Sequence, residues 1–304
     1  MKDLKRIVIL CGGESGERAI SLKSAEPVLK TLEKSYWVHC IHLDVNVLPE
    51  ELDPEQDLVF PLIHGDFGED GRLQKLLEAE NFAYVGSNSK ASVLCIDKWR
   101  SKQLARKHGI PVLPAVFVRA GDSLNETSLY ERLGNTTWVL KPTNKGSSIG
   151  VHICKDFKEL HSIWSEVHEG DWMIERYIKG RELTVGILQG ESLGAVEIRP
   201  KQGFYDFTNK YTPGACEYFS PAPISSELLK RLQVFAKDFY QHAGCRDFGR
   251  VDFIVENDEN VWFLEMNTIP GMTEYSLLPK SAACMGIDFE TLLIRLVEGV
   301  RKRS

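Results

Sequence analysis

The chain opens with an apolar run, a glycine turn and a stretch of helical periodicity, "RIVILCGGESGERAISLKSAEPVLKTL", residues 6 to 32. An unbroken run such as RIVIL predicts a strand buried on both faces, and the periodic stretch after the glycine turn predicts the helix of a βα unit in a parallel sheet. "SYWVHCIHLDV" and "DLVFPLIHGDFGEDG" predict two further strands, the second ending in a glycine-rich loop. Pro27 lacks the N–H that a helix interior needs, so the regular helix is expected to begin near Ser24 or to kink there. Residues 1–90 thus read as a small doubly wound α/β domain whose strand-end loops face a ligand.

Beyond it, "SKASVLCIDKWRSKQLARKHGIPVLP" predicts a helix stopped by Gly109 and Pro111, followed by the alternating strands "TWVLKPTN" and "IGVHICK". These predict a compact α+β domain over residues 91–178. "DWMIERYIKGRELTVGILQG" leads into a mostly antiparallel third domain, residues 179–304, closed by the amphipathic helix "FETLLIRLVEGVRK". No internal repeat is present.

The hairpin "GRVDFIVENDENVWFLEMN", residues 249 to 267, carries the most informative pattern. If the loop at 257–260 closes symmetrically, Asp252 lies across from Glu265 and Arg250 across from Asn267, all on one face. Val251, Phe253, Val255, Trp262, Leu264 and Met266 then form the core face. Ile254 and Phe263 fall among the polar residues and suggest that the polar face is partly covered. Two carboxylates about 5 Å apart repel by roughly 3 kcal/mol at an effective dielectric of about 20. A divalent cation offsets this, and Mg²⁺ commonly takes one or two carboxylates plus water and phosphate oxygens, with Asn267 a neutral oxygen donor beside them. A solvated strand face is the alternative. In the "NTIPGM" that continues the hairpin, Gly271 can bring a backbone N–H close to a substrate.

"VLKPTNKGSSIGVHI", residues 139 to 153, places Lys141 at a strand end before a Gly/Ser loop that can fold over a polyphosphate. An ordinary hairpin turn is the other reading. No Walker A sequence occurs in the chain, and the opening turn is not a dinucleotide fingerprint, since Cys11 occupies its first glycine position. "MIERYIKGRELTV" sets Glu175 and Glu182 around an apolar linker, suited either to an adenine and its ribose or to a charged surface strand.

Composition narrows the picture. At 304 residues the chain has room for two or three domains, and 43% hydrophobic content with 37 Gly plus Pro residues leaves little for a disordered tail. A net charge of -6 with scattered Lys and Arg excludes a general nucleic-acid binder. Seven cysteines, odd in number and never in a C-x-x-C pair, indicate a reducing compartment and argue against a structural zinc site. The apolar run before Gly12 is too short for a signal sequence or a membrane span, so a cytoplasmic protein without membrane contact is expected.

The ordered set "GGESGERAIS", "HGDFGEDG", "KPTNKGSSIGV", "NKY", "GRVDF" and "EMNTIPGMTEYSLLP" closely resembles the D-alanine:D-alanine ligases of the ATP-grasp superfamily, from about residue 6 to residue 300. The resemblance implies a three-domain α/β ATP-grasp fold: a doubly wound N-terminal domain, a central α+β domain and a C-terminal α+β domain with a mostly antiparallel sheet. It implies ATP as co-substrate and two Mg²⁺ ions, or Mn²⁺ in their place, held by Asp252, Glu265 and Asn267. Lys98 and Lys141 would contact phosphates, Glu175 the adenine amino group, Tyr177 and Ile178 the adenine-side linker, Glu182 the ribose, and Lys210 the γ-phosphate. Glu17 would bind the ammonium of a first D-alanine, with His64 nearby. Ser147, in the loop over the phosphates, and Tyr211 would bond to Glu17 and close the site. Arg250 and the Gly271 N–H would serve as oxyanion donors, and Ser276 and Leu277 would receive the carboxylate of a second D-alanine.

The implied reaction joins two D-alanines through an acyl phosphate, for peptidoglycan precursors, in a cytoplasmic homodimer that binds no nucleic acid. The alternatives are a ligase taking D-lactate or D-serine second, or an inactive nucleotide-binding relative. Gly16, Ala19 and Tyr275 depart from the family pattern, Tyr275 standing where many members have His beside the second subsite. Tyr211 is the residue expected of dipeptide makers.

Overall fold

The structure, a computed structural model, describes residues 5–134, 137–201, 212 and 214–303. Its first sheet contains β1 (Arg6–Gly12), β2 (Trp37–Leu43), β3 (Asp57–Pro61) and β4 (Ala83–Tyr84), all parallel in the order β2-β1-β3-β4. β1 is buried on both faces, as its unbroken apolar run requires. Its Val8 and Leu10 face Leu73 and Leu77 of α2 (Arg72–Ala79). Ile7 and Ile9 face Val28 of α1 (Arg18–Leu32) and Leu296 and Val297 of the last helix, α9 (Phe289–Arg303).

Helix α1 begins at Arg18, ahead of the expected start near Ser24, and runs through Pro27. Lys23, whose carbonyl loses its helical partner to the proline ring, is exposed to water, which limits the cost.

The predicted helix after residue 88 is two helices. Asp97, in extended conformation, ends α3 (Ser89–Ile96) and caps α4 (Lys98–Lys107) by accepting from the Arg100 N–H at 3.0 Å. Both were expected in the central domain, but Cys95 and Ala105 lie in the core of the C-terminal sheet, with Val251 and Phe263. α9, expected with the C-terminal domain, covers the first sheet. Burial of apolar faces has taken these helices across the boundaries drawn from sequence.

The central sheet is antiparallel, β5-β8-β6-β7, built from β5 (Ala115–Arg119), β6 (Trp138–Pro142), β7 (His152–Cys154) and β8 (Asp171–Arg176). α5 (Glu126–Leu133) and α6 (Phe157–Ser165) close over Trp138, Leu140 and Ile174.

The third sheet is antiparallel throughout, β11-β10-β9-β12-β13, from β9 (Arg181–Leu188), β10 (Glu191–Pro200), β11 (Cys216–Phe219), β12 (Phe248–Glu256) and β13 (Asn260–Asn267). α7 (Ser226–His242) covers one face and α8 (Leu277–Ala283) comes close on the other. That approach needs glycine: a Cβ at Gly194 would collide with the Cys284 Cβ.

The β12–β13 hairpin keeps the expected register from Arg250↔Asn267 to Asp252↔Glu265, then a bulge shifts it, so that Phe253 pairs with Phe263. The expected face is therefore corrected on β13. Val261 and Phe263 enter the core, while Trp262 and Leu264, expected there, are half-buried on the other side. Phe263 stacks on Phe239 of α7 at 4.4 Å, a contact the unbulged register would lose. Among the described residues, no helix is long and apolar enough to cross a membrane.

Candidate active site

Two cavities lie on either side of the bonded pair Arg250 and Asp252. The smaller, about 160 Å³, lies between the central and C-terminal sheets and is lined by Lys141, Tyr177, Ile178, Glu182, Leu264 and Glu265. The bulge is what turns Leu264 toward this cavity beside Ile254.

Its charges are paired. Glu175, fully buried on β8, lies 2.7 Å from Lys141 Nζ and 2.5 Å from Lys102 Nζ, one oxygen to each. Burial pushes the Glu175 carboxyl up, but the two lysines outweigh it and hold it below its ordinary value. On Lys102 burial dominates, drawing the ammonium down to about 8 against the pull of Glu175. Lys98, at the start of α4, lies 3.3 Å from Glu265 and donates to the Lys145 carbonyl in the Gly/Ser loop.

Asp252 is buried with both oxygens engaged. Arg250 donates to them from Nε and Nη2 at 2.8 and 2.7 Å, Thr184 Oγ1 at 2.5 Å and Asn267 Nδ2 at 3.1 Å. The repulsion expected between Asp252 and Glu265 is therefore offset by Arg250 on one side and Lys98 on the other. Two opposed carboxylates and the Asn267 carbonyl still form a set of hard oxygen donors, and that chemistry fits Mg²⁺.

The larger cavity, about 630 Å³, is walled by Arg250 and Asn267, by Ser24 of α1 and His64, and by Gly271 and Ser276. His64 is buried, its Nε2 3.3 Å from Ser24 Oγ and its Nδ1 3.8 Å from Glu69. Glu17, at the head of α1, accepts a hydrogen bond from Ser147 Oγ in the Gly/Ser loop. Ser147 and Ser148 hold left-handed φ values of 51° and 59°, a strain on the order of 1 to 3 kcal/mol each that persists where surrounding contacts hold it. A side chain at Gly65 would come within 2.7 Å of Glu17 Oε2, so the loop after His64 needs glycine to seat that carboxylate.

Comparison with known sequences decides the family. The profile described as D-ala D-ala ligase C-terminus matches residues 104–298, and its N-terminal counterpart matches residues 45–87. A D-alanine--D-alanine ligase of Methylacidiphilum infernorum is 40% identical over 296 residues, covering 97% of this chain and 95% of the relative. The chain belongs to the D-alanine--D-alanine ligase family. The Aquifex aeolicus ligase is 39% identical over 95% of this chain and 98% of its own length. Among solved structures, the Bacillus anthracis D-alanine--D-alanine ligase complexed with ATP superposes with a TM-score of 0.86 at 31% identity, covering 98% of both chains. The three sheets are those of the three-domain α/β ATP-grasp fold expected from the sequence.

In this ligase fold the candidate residues fall into two groups. Lys98, Lys141, Glu175, Tyr177, Ile178, Glu182, Asp252 and Glu265 line the smaller cavity. His64, Ser147, Arg250, Asn267, Gly271, Ser276 and Leu277 line the larger, with Glu17 joined through Ser147. Lys210 and Tyr211 lie outside the described residues.

For two of the expected roles the structure adds charged partners. Glu175, expected at the adenine amino group, pairs its carboxylate with Lys102 and Lys141 and lines the smaller cavity. Arg250, expected as an oxyanion donor, bonds Asp252 through Nε and Nη2 and lines the larger cavity. Sequence reading missed Lys102, Thr184 and Glu69. Lys102 had a signal, since it lies one helical turn from Lys98 on the face that also buries Ser101 and Ala105.

Proposed function

We propose that the protein is an ATP-dependent D-alanine:D-alanine ligase that works through an acyl phosphate. The reading is carried by the wall common to both cavities, where Asp252 faces the smaller and Arg250, two residues away and bonded to it, faces the larger. A nucleotide in the smaller cavity, suited to Leu264 and Ile178, would thus present its terminal phosphate toward a substrate carboxylate in the larger.

In the first step a carboxylate oxygen of D-alanine attacks the γ-phosphorus, the bond to the β-phosphate oxygen breaks, and ADP leaves. In the second, the amine of another D-alanine attacks the acyl carbon, a proton is lost and phosphate departs. Two anions must approach each other in the first step, so cationic screening is the main requirement. Lys141 and Lys98 supply it on the nucleotide side and Arg250 on the substrate side. Asp252, Glu265 and Asn267 would hold Mg²⁺, which when bound neutralises phosphate charge. Glu17 takes the ammonium of the first D-alanine, oriented by Ser147; the Ser276 hydroxyl and the Leu277 N–H take the carboxylate of the second, and the Gly271 N–H faces the developing oxyanion.

We place this ligase in the cytoplasm as a homodimer; sedimentation equilibrium tests the dimer. The function is tested by phosphate release with ATP and D-alanine, compared with D-serine, D-lactate and L-alanine as second substrates. Turnover with D-alanine alone is expected, and its absence would overturn the proposal.

A further inference from the structure

Cys11, Cys40 and His42 have no part in the ligase site, yet the fold gathers them. Cys40 and His42 alternate along the edge strand β2 and so share a face, and Cys11 on β1 pairs in parallel register with His42. The Cys11 and Cys40 Sγ atoms are 3.6 Å apart, and one donor atom from each of the three residues lies within 4.8 Å of the other two. Cys11 is buried, Cys40 half-buried and His42 exposed, so the cluster has a protein wall and an opening to solvent.

The sulfur separation discriminates between two kinds of chemistry. A disulfide needs about 2.05 Å between sulfurs and a Cα separation below about 7 Å. Cys40 is the register partner of Ile9, two residues from Cys11, and such diagonal neighbours lie about 7 to 8 Å apart, so a bond would require the strands to shift. Two thiolates each about 2.3 Å from one tetrahedral ion lie about 3.8 Å from each other, close to what β1 and β2 already provide.

We propose that Cys11, Cys40 and His42 form a binding site for a thiophilic metal ion of the Zn²⁺ class, with its fourth position open to solvent. Two thiolates and a neutral imidazole balance a dication, which suits a half-buried site. Metal binding displaces the Cys40 thiol proton, so the site fills more readily as pH rises. Cys11 likewise releases its proton to solvent as the metal–sulfur bond forms. No C-x-x-C spacing announces the site, because parallel register, and not chain proximity, assembles it.

Co²⁺ titration of the full-length, reduced, Mg²⁺-saturated protein tests this, since thiolate-to-cobalt charge-transfer absorption reports sulfur ligation and ignores oxygen-only sites. The absorption is expected to saturate at one equivalent and to vanish on adding one equivalent of Zn²⁺. Cys40→Ser should abolish it, and His42→Ala, at an exposed side chain that leaves the core intact, should weaken Co²⁺ binding at least about tenfold. Cys245→Ser controls for the other close thiol pair, Cys95 with Cys245 at 3.6 Å, and should change nothing. No charge-transfer band in the unmodified protein, a band that survives Cys40→Ser, one lost in Cys245→Ser, or unchanged affinity in His42→Ala would each overturn the proposal.

Discussion

Ser147 in the Gly/Ser loop donates a hydrogen bond to the carboxylate of Glu17 at the head of α1, joining residues 130 positions apart in the chain. The bond ties the loop over the nucleotide cavity to the residue proposed to receive the first amino acid. A hydrogen bond to a charged group contributes about 1.5 to 3 kcal/mol, and here it acts on the closed arrangement more than on the fold. Ser147→Ala is expected to lower kcat/KM for D-alanine by roughly 10- to 100-fold while the urea midpoint stays nearly constant. Steady-state kinetics alongside urea denaturation check it, and equal losses in rate and stability would mark the bond as structural.

Asp252 and Glu265 face each other across the hairpin but should answer differently to substitution. Glu265 is partly exposed and pairs with Lys98 at 3.3 Å, so Glu265→Gln should cost about 1 kcal/mol or less in stability. Asp252→Ala strips a buried partner from Arg250 and should cost about 3 to 5 kcal/mol. Both should abolish most turnover if the two carboxylates act together on Mg²⁺. A Glu265→Gln protein with near-normal rate would remove the metal role from that side chain.

Lys102 predicts a distinctive alkaline limb. Its folded pKa is about 8 against an ordinary value of 10.5, so between those values the unfolded chain binds more protons than the folded one. Stability contributed through this group therefore rises with pH across that window, by an upper bound of about 3 kcal/mol. The difference in unfolding free energy between the parent and Lys102→Met should grow in the parent's favour from pH 8 to pH 10.5. A flat difference would mean that Lys102 is not held in a low-dielectric site.

Tyr275 stands 79% exposed at the mouth of the larger cavity, with Lys280 Nζ 5.9 Å from its ring. Tyr275→Ala should leave thermal stability within about 0.5 kcal/mol. Its effect is expected in KM for the second D-alanine, with KM for ATP unchanged. A change confined to the ATP term would place the residue outside the amino-acid subsite.

Much of this site was legible in the hairpin. Loop closure and strand alternation brought Asp252 opposite Glu265 and Arg250 opposite Asn267, as the structure has them. The bulge beyond that point was hidden, because it brings Phe263 against Phe239 of the preceding helix, a tertiary contact. Alternation within one strand carries no information about such a partner. For the same reason Lys102 read as one more surface lysine: its burial depends on α4 lying against β13, which local sequence does not encode. The glycine loop and the His64 loop announced themselves as motifs, whereas the bond between Ser147 and Glu17 came only through resemblance to the family.

The last helix lies on the first sheet, with Leu296 and Val297 against Ile7 and Ile9. A polypeptide is made from its N-terminus, so the face that α1 shares with α9 stays only partly covered until α9 has left the ribosome. The N-terminal domain is therefore first in order of synthesis and among the last to be completed. Loss of α9 would strike the sheet that carries the Glu17 loop, at the opposite end of the gene.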